Sequence, residues 1–456
     1  MGAGGVRVLW RAQLAVRRGD GELSILAAGS EGRAAMKKWM VVVVFGVGVA
    51  SGQVAPEANY DEAKVGSYLL PDPLRLASGA AVGDADTWRR IRRPEILRIY
   101  EGEVFGRTVA PETKVVAEVL DGGTPALGGK AVRKQVRLWF GGKKEGPGAT
   151  VLLYLPAKSK GPAPVFVGLS FGPNATVHAD PGIVLGETWV RDPEDRTKMV
   201  KRAVGEEARG RGAAQWQVEK IVERGFGLVT ACYLEIEPDF VGGIGHGVRG
   251  LSRKAPGADE WGALGAWAWG LSRMVDYLET EAGVDAKRIA VVGHSRLGKA
   301  ALWAGAQDER IALVISNNSG EGGAALARRN YGETLQRITT VFPHWFATNY
   351  AGYGADPGRL AVDAHMLLAL MAPRPVYVAS AEEDRWADPR GEFLAASAAG
   401  RVFELLGKRG LGTDEMPRLH APVMETVGYH IRAGKHDVTE YDWEQYLRFA
   451  GKHLGR

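Results

Sequence analysis

Cysteine is almost absent from this chain: one residue, Cys232, in 456. A lone cysteine excludes an internal disulfide framework and a cysteine-built zinc site. No Gly-x-x-x-x-Gly-Lys-Ser/Thr run occurs, so a nucleotide-binding P-loop is excluded, and the glycine-rich stretch Gly243-Ile-Gly-His-Gly-Val-Arg-Gly250 reads as a flexible loop. There is no His-Glu-x-x-His, and the nine histidines lack metal-ligand spacing. No apolar run approaches the roughly 20 residues that a membrane-spanning helix needs. No internal repeat or low-complexity linker divides residues 53–456.

A charge excess of one sign is also nearly missing. The formal charge is +5, from 58 basic and 53 acidic residues. The first 52 residues hold seven of the basic and only three of the acidic ones, leaving 51 against 50 beyond them. A nucleic-acid partner is therefore not expected, because no basic surplus remains to meet phosphates. What the chain does have is ordinary globular composition, 45% hydrophobic and 24% charged.

From Met36 the sequence reads MKKWMVVVVFGVGVASGQ: a basic start, an apolar run from Met40 to Ala50, then small residues. That order is a secretory signal peptide, assigned to residues 36–52. The expectation is that Met36 is the true initiator, that residues 1–35 are a misannotated leader, and that the protein is secreted or periplasmic.

Beyond residue 53, apolar β-rich runs alternate with amphipathic stretches. Strands are expected at 132–140, 150–155, 164–169, 227–232, 288–293, 313–316, 375–380 and 427–431. Helices are expected at 215–224, 261–281, 297–307, 362–371, 391–406 and 442–454. This alternation predicts one α/β domain over 53–456, a three-layer sandwich around a mainly parallel central sheet with inserted loops. The polar, glycine-rich stretch 174–212 is one long insertion, of the kind that forms lids or surface excursions.

The most informative segment is Arg288-Ile-Ala-Val-Val-Gly-His-Ser-Arg-Leu-Gly-Lys299, an apolar strand running directly into a helix-forming sequence. A serine at such a turn exposes its hydroxyl beside a helix N-terminus, which makes Ser295 the candidate nucleophile. The Gly-x-Ser-x-Gly pattern is not strictly met, since position 297 is leucine and the second glycine falls at 298. A serine needs a base, and the base needs an orienting carboxylate, in the chain order Ser, acid, His of α/β-hydrolases. Asp384 follows the 375–380 strand and His436 follows the last one. Glu383 and Asp388 read as a solvated rim, and His430, inside the strand pattern, reads as structural.

These segments resemble the glucuronoyl esterases, carbohydrate esterase family 15, and specifically its bacterial members. The resemblance rests on Gly293-His-Ser-Arg-Leu-Gly-Lys299, Ser316-Asn-Asn-Ser-Gly-Glu-Gly-Gly323, Arg328-Arg-Asn-Tyr-Gly-Glu-Thr334, Phe342-Pro-His-Trp-Phe346, Ala379-Ser-Ala-Glu-Glu-Asp-Arg-Trp-Ala-Asp-Pro389 and Gly434-Lys-His-Asp-Val-Thr439. It covers most of residues 85–456.

The resemblance implies hydrolysis of esters between (4-O-methyl-)glucuronic acid on glucuronoxylan and lignin alcohols, without metal or organic cofactor; a monomer is expected. It implies that Arg296 stabilises the oxyanion and that Lys299, Glu333 and Trp386 bind the sugar. A second oxyanion N–H is expected near Phe171 and Gly172, while His344 and Trp345 read as core residues.

Two departures separate this chain from the fungal members. His294 stands where they carry a disulfide-forming Cys, and Asn318 stands where they carry the catalytic Glu. An amide cannot stabilise an imidazolium, so Asn318 cannot be the acid; the resemblance to bacterial members, some of which carry an Asp on the late loop instead, strengthens Asp384 and leaves Glu321 in reserve. The alternatives are an acetyl xylan esterase using the same triad and a non-catalytic polysaccharide-binding hydrolase fold. Lys299 and Glu333 favour the uronate reading over the first, and the complete Ser, Asp, His set opposes the second.

Overall fold

The computed structural model describes residues 56–108, 114–252 and 257–455. These lie in one compact unit, Val47–Arg456. The leader (1–35) and signal-peptide (36–52) assignments fall outside the described residues.

Twelve strands are present among the described residues: β1 (Val116–Ala126), β2 (Ala131–Trp139), β3 (Gly148–Pro156), β4 (Ala163–Ser170), β5 (Glu187–Arg191), β6 (Met199–Ala203), β7 (Gly227–Cys232), β8 (Val284–His294), β9 (Leu313–Asn317), β10 (Val376–Ala381), β11 (Val423–Met424) and β12 (Val427–Arg432). Ten form one sheet in the order β1-β2-β3-β7-β4-β8-β9-β10-β12-β11. The six strands from β7 to β12 in that order run parallel, and the antiparallel pairs lie toward the edges. Cys232, at the end of β7, is buried and unpaired.

The apolar runs of the parallel strands follow from burial on both faces. Successive side chains point oppositely, so Val165 and Val167 of β4 enter one core while Phe166 enters the other. The first core is closed by helices α1 (Ala263–Leu278), α2 (Arg296–Gln307) and α3 (Pro389–Leu405). The second is closed by α4 (Glu440–Leu454), through Trp443, Tyr446 and Phe449, and by the short helix Val218–Glu223. The result is the expected three-layer α/β-hydrolase sandwich.

All eight expected strands are present, and the differences are local. The helix expected over 215–224 is broken at Gln217, whose backbone is left-handed (φ 43°), into Ala213–Trp216 and Val218–Glu223. Strand β1 escaped the pattern because Val119 and Leu120 on this edge strand are 64% and 46% exposed, so no apolar alternation marks it. The 174–212 insertion carries the β5–β6 hairpin. A helical stretch over 85–104, anchored by buried Trp88, Ile96, Tyr100 and Val104, also lacked an assignment. No helix among the described residues is long and apolar enough to cross a membrane.

Helix α3 ties the two site-bearing strand ends together through Glu392, which is fully buried. Its carboxyl accepts from Ser380 Oγ of β10 (2.6 Å) and from the Gly320 N–H beyond β9 (3.0 Å). Burial, only partly offset by these bonds, pushes the carboxyl up to about 8 from its ordinary 4.5. Folded, the group keeps its proton up to about pH 8; unfolded, it loses it near 4.5. Its contribution to stability is thus full at low pH and is lost as pH rises toward 8. The prediction is that Glu392→Gln gains melting temperature relative to wild type between pH 5 and pH 8. A pH-independent difference would contradict the assignment.

Candidate active site

Ser295 sits between β8 and α2 at φ 57°, ψ −130°, a backbone region that costs a non-glycine residue about 1–3 kcal/mol. The turn is held by the Ser295 N–H donating to Asn317 O at the end of β9 (2.9 Å) and by the Gly298 N–H donating to Ser295 O (2.9 Å). A Cβ at Gly293 would lie 2.0 Å from Leu297 O, so the chain can double back only with glycine there. Leu297, in the place of the usual second glycine, turns into the core and is 2% exposed.

His436 lies in the loop after β12, and its Nδ1 meets Asp384 Oδ2 at 2.5 Å. Asp384 follows β10 and its side chain is 3% exposed, while that of His436 is 39% exposed. The His436 ring packs against His294, whose centroid is 4.4 Å away, immediately before Ser295. Among the described residues Ser295 Oγ has no hydrogen-bond partner, and nucleophile–base contacts are often loose before substrate binds. Burial, then the neighbouring His436, push His294 down to about 3, so it is neutral. Its Nδ1 faces Asn317 Oδ1 (2.6 Å), and Asn317 Nδ2 donates to Tyr446 OH (2.7 Å).

The loop that presents His436 is braced by one guanidinium. Buried Arg432 donates to Ala433 O (3.0 Å), Lys435 O (3.1 Å) and Asp437 O (2.6 Å), and its Nε donates to Asp442 Oδ2 (2.7 Å). Asp442 also meets His430 Nε2 (2.9 Å) and forms a capping box with Thr439 at the start of α4. His430 is fully buried in β12, a structural placement as expected.

Arg296 opens α2, and its guanidinium is ion-paired with Asp239. Its carbon lies 4.6 Å from the Trp345 ring centroid, 5.6 Å from Phe342 and 5.9 Å from Phe171. Asp239 also accepts from His344 Nε2 (2.9 Å), Trp345 Nε1 (2.6 Å) and Tyr233 OH (3.0 Å). Burial alone would raise this carboxyl, but Arg296 and its hydrogen bonds outweigh burial and hold it well below the usual range. His344 and Trp345, expected to be core residues, thus hold the partner of Arg296. Asp239 had no sequence signal beyond being an acid in a Pro-Asp-Phe segment.

Lys299, one turn after Arg296, is 3% exposed; its Nζ donates to Ser319 O (2.5 Å) and lies 3.8 Å from Glu333 Oε2. Burial lowers the ammonium, opposed by Glu333 and Glu321. Burial raises the Glu333 carboxyl, opposed by Lys299, Arg296 and His436, so these four side chains share one electrostatic neighbourhood. The Glu333 N–H donates to Trp386 O (2.9 Å), and the half-buried Trp386 ring lies under the Arg337 guanidinium at 5.1 Å.

The other carboxylates are placed elsewhere. Glu321 accepts from Tyr350 OH (2.6 Å) in the interior and has no bond to His436. Asp388, expected on a solvated rim, is 2% exposed because Arg329 pairs with it at 2.7 Å. Glu383 is exposed as expected. Asn318 lies near the histidine loop, with Nδ2 3.4 Å from Asp437 O.

The arrangement joins a strained serine, an imidazole oriented by a carboxylate, and a caged cation at a helix N-terminus, the parts needed for acyl transfer. A family model described as glucuronyl esterase, fungi, matches residues 256–407. A carbohydrate esterase from an unknown prokaryotic organism is 46% identical over 399 residues, 87% of this chain and 92% of that protein. The fold superposes on a glucuronoyl esterase from Solibacter usitatus with a TM-score of 0.82 at 54% identity, covering 86% of this chain and 100% of the other. A family 15 glucuronoyl esterase from Teredinibacter turnerae gives 0.72 at 33% identity, covering 87% and 92%.

Asp239→Asn keeps the shape of the partner and removes the charge that fixes Arg296. Ester turnover is expected to fall about 10²–10³-fold in kcat, the size of a lost oxyanion donor, with a smaller change in KM. A kcat within twofold of wild type would show that Arg296 needs no such anchor.

Proposed function

The chain belongs to the glucuronoyl esterases, carbohydrate esterase family 15, and from that membership we propose that Ser295, His436 and Asp384 hydrolyse glucuronoyl esters through an acyl-enzyme. The protein is a carboxylic ester hydrolase. Its substrates are esters between (4-O-methyl-)glucuronic acid of glucuronoxylan and lignin alcohols. The observation that carries the residue assignment is the 2.5 Å Asp384–His436 bond, beside the strained Ser295 turn.

In this reading Asp384 holds His436 with Nε2 free to accept the Ser295 proton. Ser295 Oγ attacks the uronate carbonyl. The developing oxyanion is met by the Arg296 guanidinium, by the Arg296 N–H at the start of α2, and by the backbone beyond β4 at Phe171 and Gly172. Collapse of the tetrahedral species expels the alcohol, which takes its proton from His436. A water deprotonated by His436 then attacks the acyl-enzyme and releases the uronic acid and the free serine.

Lys299 and Glu333 supply a donor and an acceptor for ring hydroxyls, and Trp386 a flat apolar face for the ring. Secretion or periplasmic export follows in this reading from the signal-like segment at 36–52, and we propose that the protein acts as a monomer.

The test compares benzyl glucuronate with an aryl acetate. Wild type is expected to turn over the uronate ester and Ser295→Ala neither substrate; acetate turnover without uronate turnover would overturn the substrate assignment. Asp384→Asn is expected to lower kcat by about 10⁴, as loss of the orienting charge does in other triads. Glu321→Gln, at a carboxyl bonded to Tyr350 and not to His436, should cost far less, and an equal loss there alone would move the acid to Glu321.

A further inference from the structure

One buried histidine beside the nucleophile has no part in the acyl-transfer steps. His294 precedes Ser295 at the end of β8, and its ring centroid lies 4.4 Å from that of His436, with the two planes inclined at 42°. Phe171 meets it edge-on, with 6.1 Å between centroids. Its Nδ1 stands 2.6 Å from Asn317 Oδ1 at the end of β9.

The proton on that nitrogen is fixed by an acid on α4. Asn317 Nδ2 lies 2.7 Å from Tyr446 OH and 3.3 Å from Asp442 Oδ1. Burial would raise the Asp442 carboxyl, but His430, Arg432 and Thr439 outweigh burial and hold it below the usual range, so it is ionised and can only accept. The amide nitrogen of Asn317 must face it, which turns the amide oxygen toward His294. That oxygen also only accepts, so His294 Nδ1 carries a hydrogen. Nε2 is bare, because burial and then His436 keep the ring uncharged. The charged and titratable groups that bear on it are His436 from the loop after β12, Asp442 from α4 and Arg432 from β12.

The His436 ring needs a second hold. The Arg432 bonds act on loop carbonyls, and Gln215 Nε2 donates to Asp437 Oδ1 (2.6 Å), so these bonds fix the loop and not the imidazole. Asp384 meets the ring at Nδ1. The terminal torsion of a histidine is soft, and a ring held at one edge, with 39% of its side chain exposed, can tilt about that bond. The His294 ring is the second contact. It belongs to the residue that precedes the nucleophile, so the surface that stops the tilt is set by the same backbone as Ser295. Asn317 fixes both neighbours at once, accepting the Ser295 N–H on its main-chain oxygen and the His294 N–H on its side-chain oxygen.

We propose that His294 is a positioning residue for the reaction, its ring setting the tilt of the His436 imidazole toward Ser295 while Asn317 holds the His294 ring in place. The proposal rests on the Ser295, His436 and Asp384 assignment. An uncharged ring suits the task, since the imidazolium formed at His436 during turnover meets no like charge across the 4.4 Å between centroids.

Two variants separate the ring from its hydrogen bond. His294→Phe keeps a flat ring and loses the donor to Asn317, whereas His294→Gln keeps an amide donor and loses the ring. Both are assayed on benzyl glucuronate at a temperature at which both are folded. kcat in His294→Gln is expected to fall about 10–10²-fold, the scale of a misplacement of up to about 1 Å, with KM within about twofold. kcat in His294→Phe is expected to stay about fivefold or more above that of His294→Gln, even though Phe leaves Asn317 Oδ1 without its donor. If His294→Gln is as active as His294→Phe or more so, the ring is not what holds the base and the proposal falls. Wild-type protein supplies the second measurement, which needs no variant: neutron diffraction near pH 7 is expected to show a deuteron on His294 Nδ1 and none on Nε2. A deuteron on Nε2 would overturn the proposal whatever the variants do. Turnover that survives in His436→Ala would instead count against the triad assignment.

Discussion

The ion pair between Arg296 and Asp239 is the interaction on which the rest of the site depends. Both groups are largely withdrawn from water, and removing one partner of such a pair typically costs about 3–5 kcal/mol because the other is left uncompensated. The fold meets the desolvation with three further donors to Asp239, from Tyr233, His344 and Trp345. It surrounds the guanidinium with the faces of Trp345, Phe342 and Phe171. Those contacts leave Arg296 little freedom, which is what a cation must have if it is to meet a developing negative charge without reorganising. Its position directly after Ser295 means that the strained turn and the cation are set by one stretch of backbone.

A second buried pair performs the matching task for His436, the proposed base. Arg432 and Asp442 fix the loop carbonyls on either side of His436 and cap α4, while Asn317 links this network to His294 beneath the imidazole. The Ser295 turn and the His436 loop are thus both anchored to the end of β9, since Asn317 O also accepts the Ser295 N–H. Such shared anchoring keeps the two groups in register, where a misplacement of about 1 Å can cost about 10²-fold in rate.

The parts legible in the sequence were those whose signal is local. The elbow is a contiguous strand-to-helix transition, and Asp384 and His436 follow runs apolar enough to be read as buried strands. Asp239 was invisible because its importance comes from four donors on three separate segments, which no spacing rule links. Asp388 looked like a rim residue because its neighbours Glu382, Glu383, Arg385 and Arg390 are exposed, whereas pairing with Arg329 takes it inside. Strand β1 and the β5–β6 hairpin are defined by backbone pairing at exposed positions, where side-chain polarity carries no period. The break at Gln217 is set by tertiary packing, with Trp443 Nε1 bonding Gln215 O just before it (2.7 Å).

The central claim is that one oxygen, Ser295 Oγ, carries the acyl group in a pocket that recognises uronate esters. Its most direct test is titration with an aryl dialkyl phosphate, which transfers a phosphoryl group to an activated serine, followed by peptide mapping and assay on a glucuronate ester. The account predicts one label per chain, on the peptide containing Ser295, with uronate-ester hydrolysis lost in proportion to labelling. A label on another residue, or a fully labelled protein that still hydrolyses the ester, would contradict it.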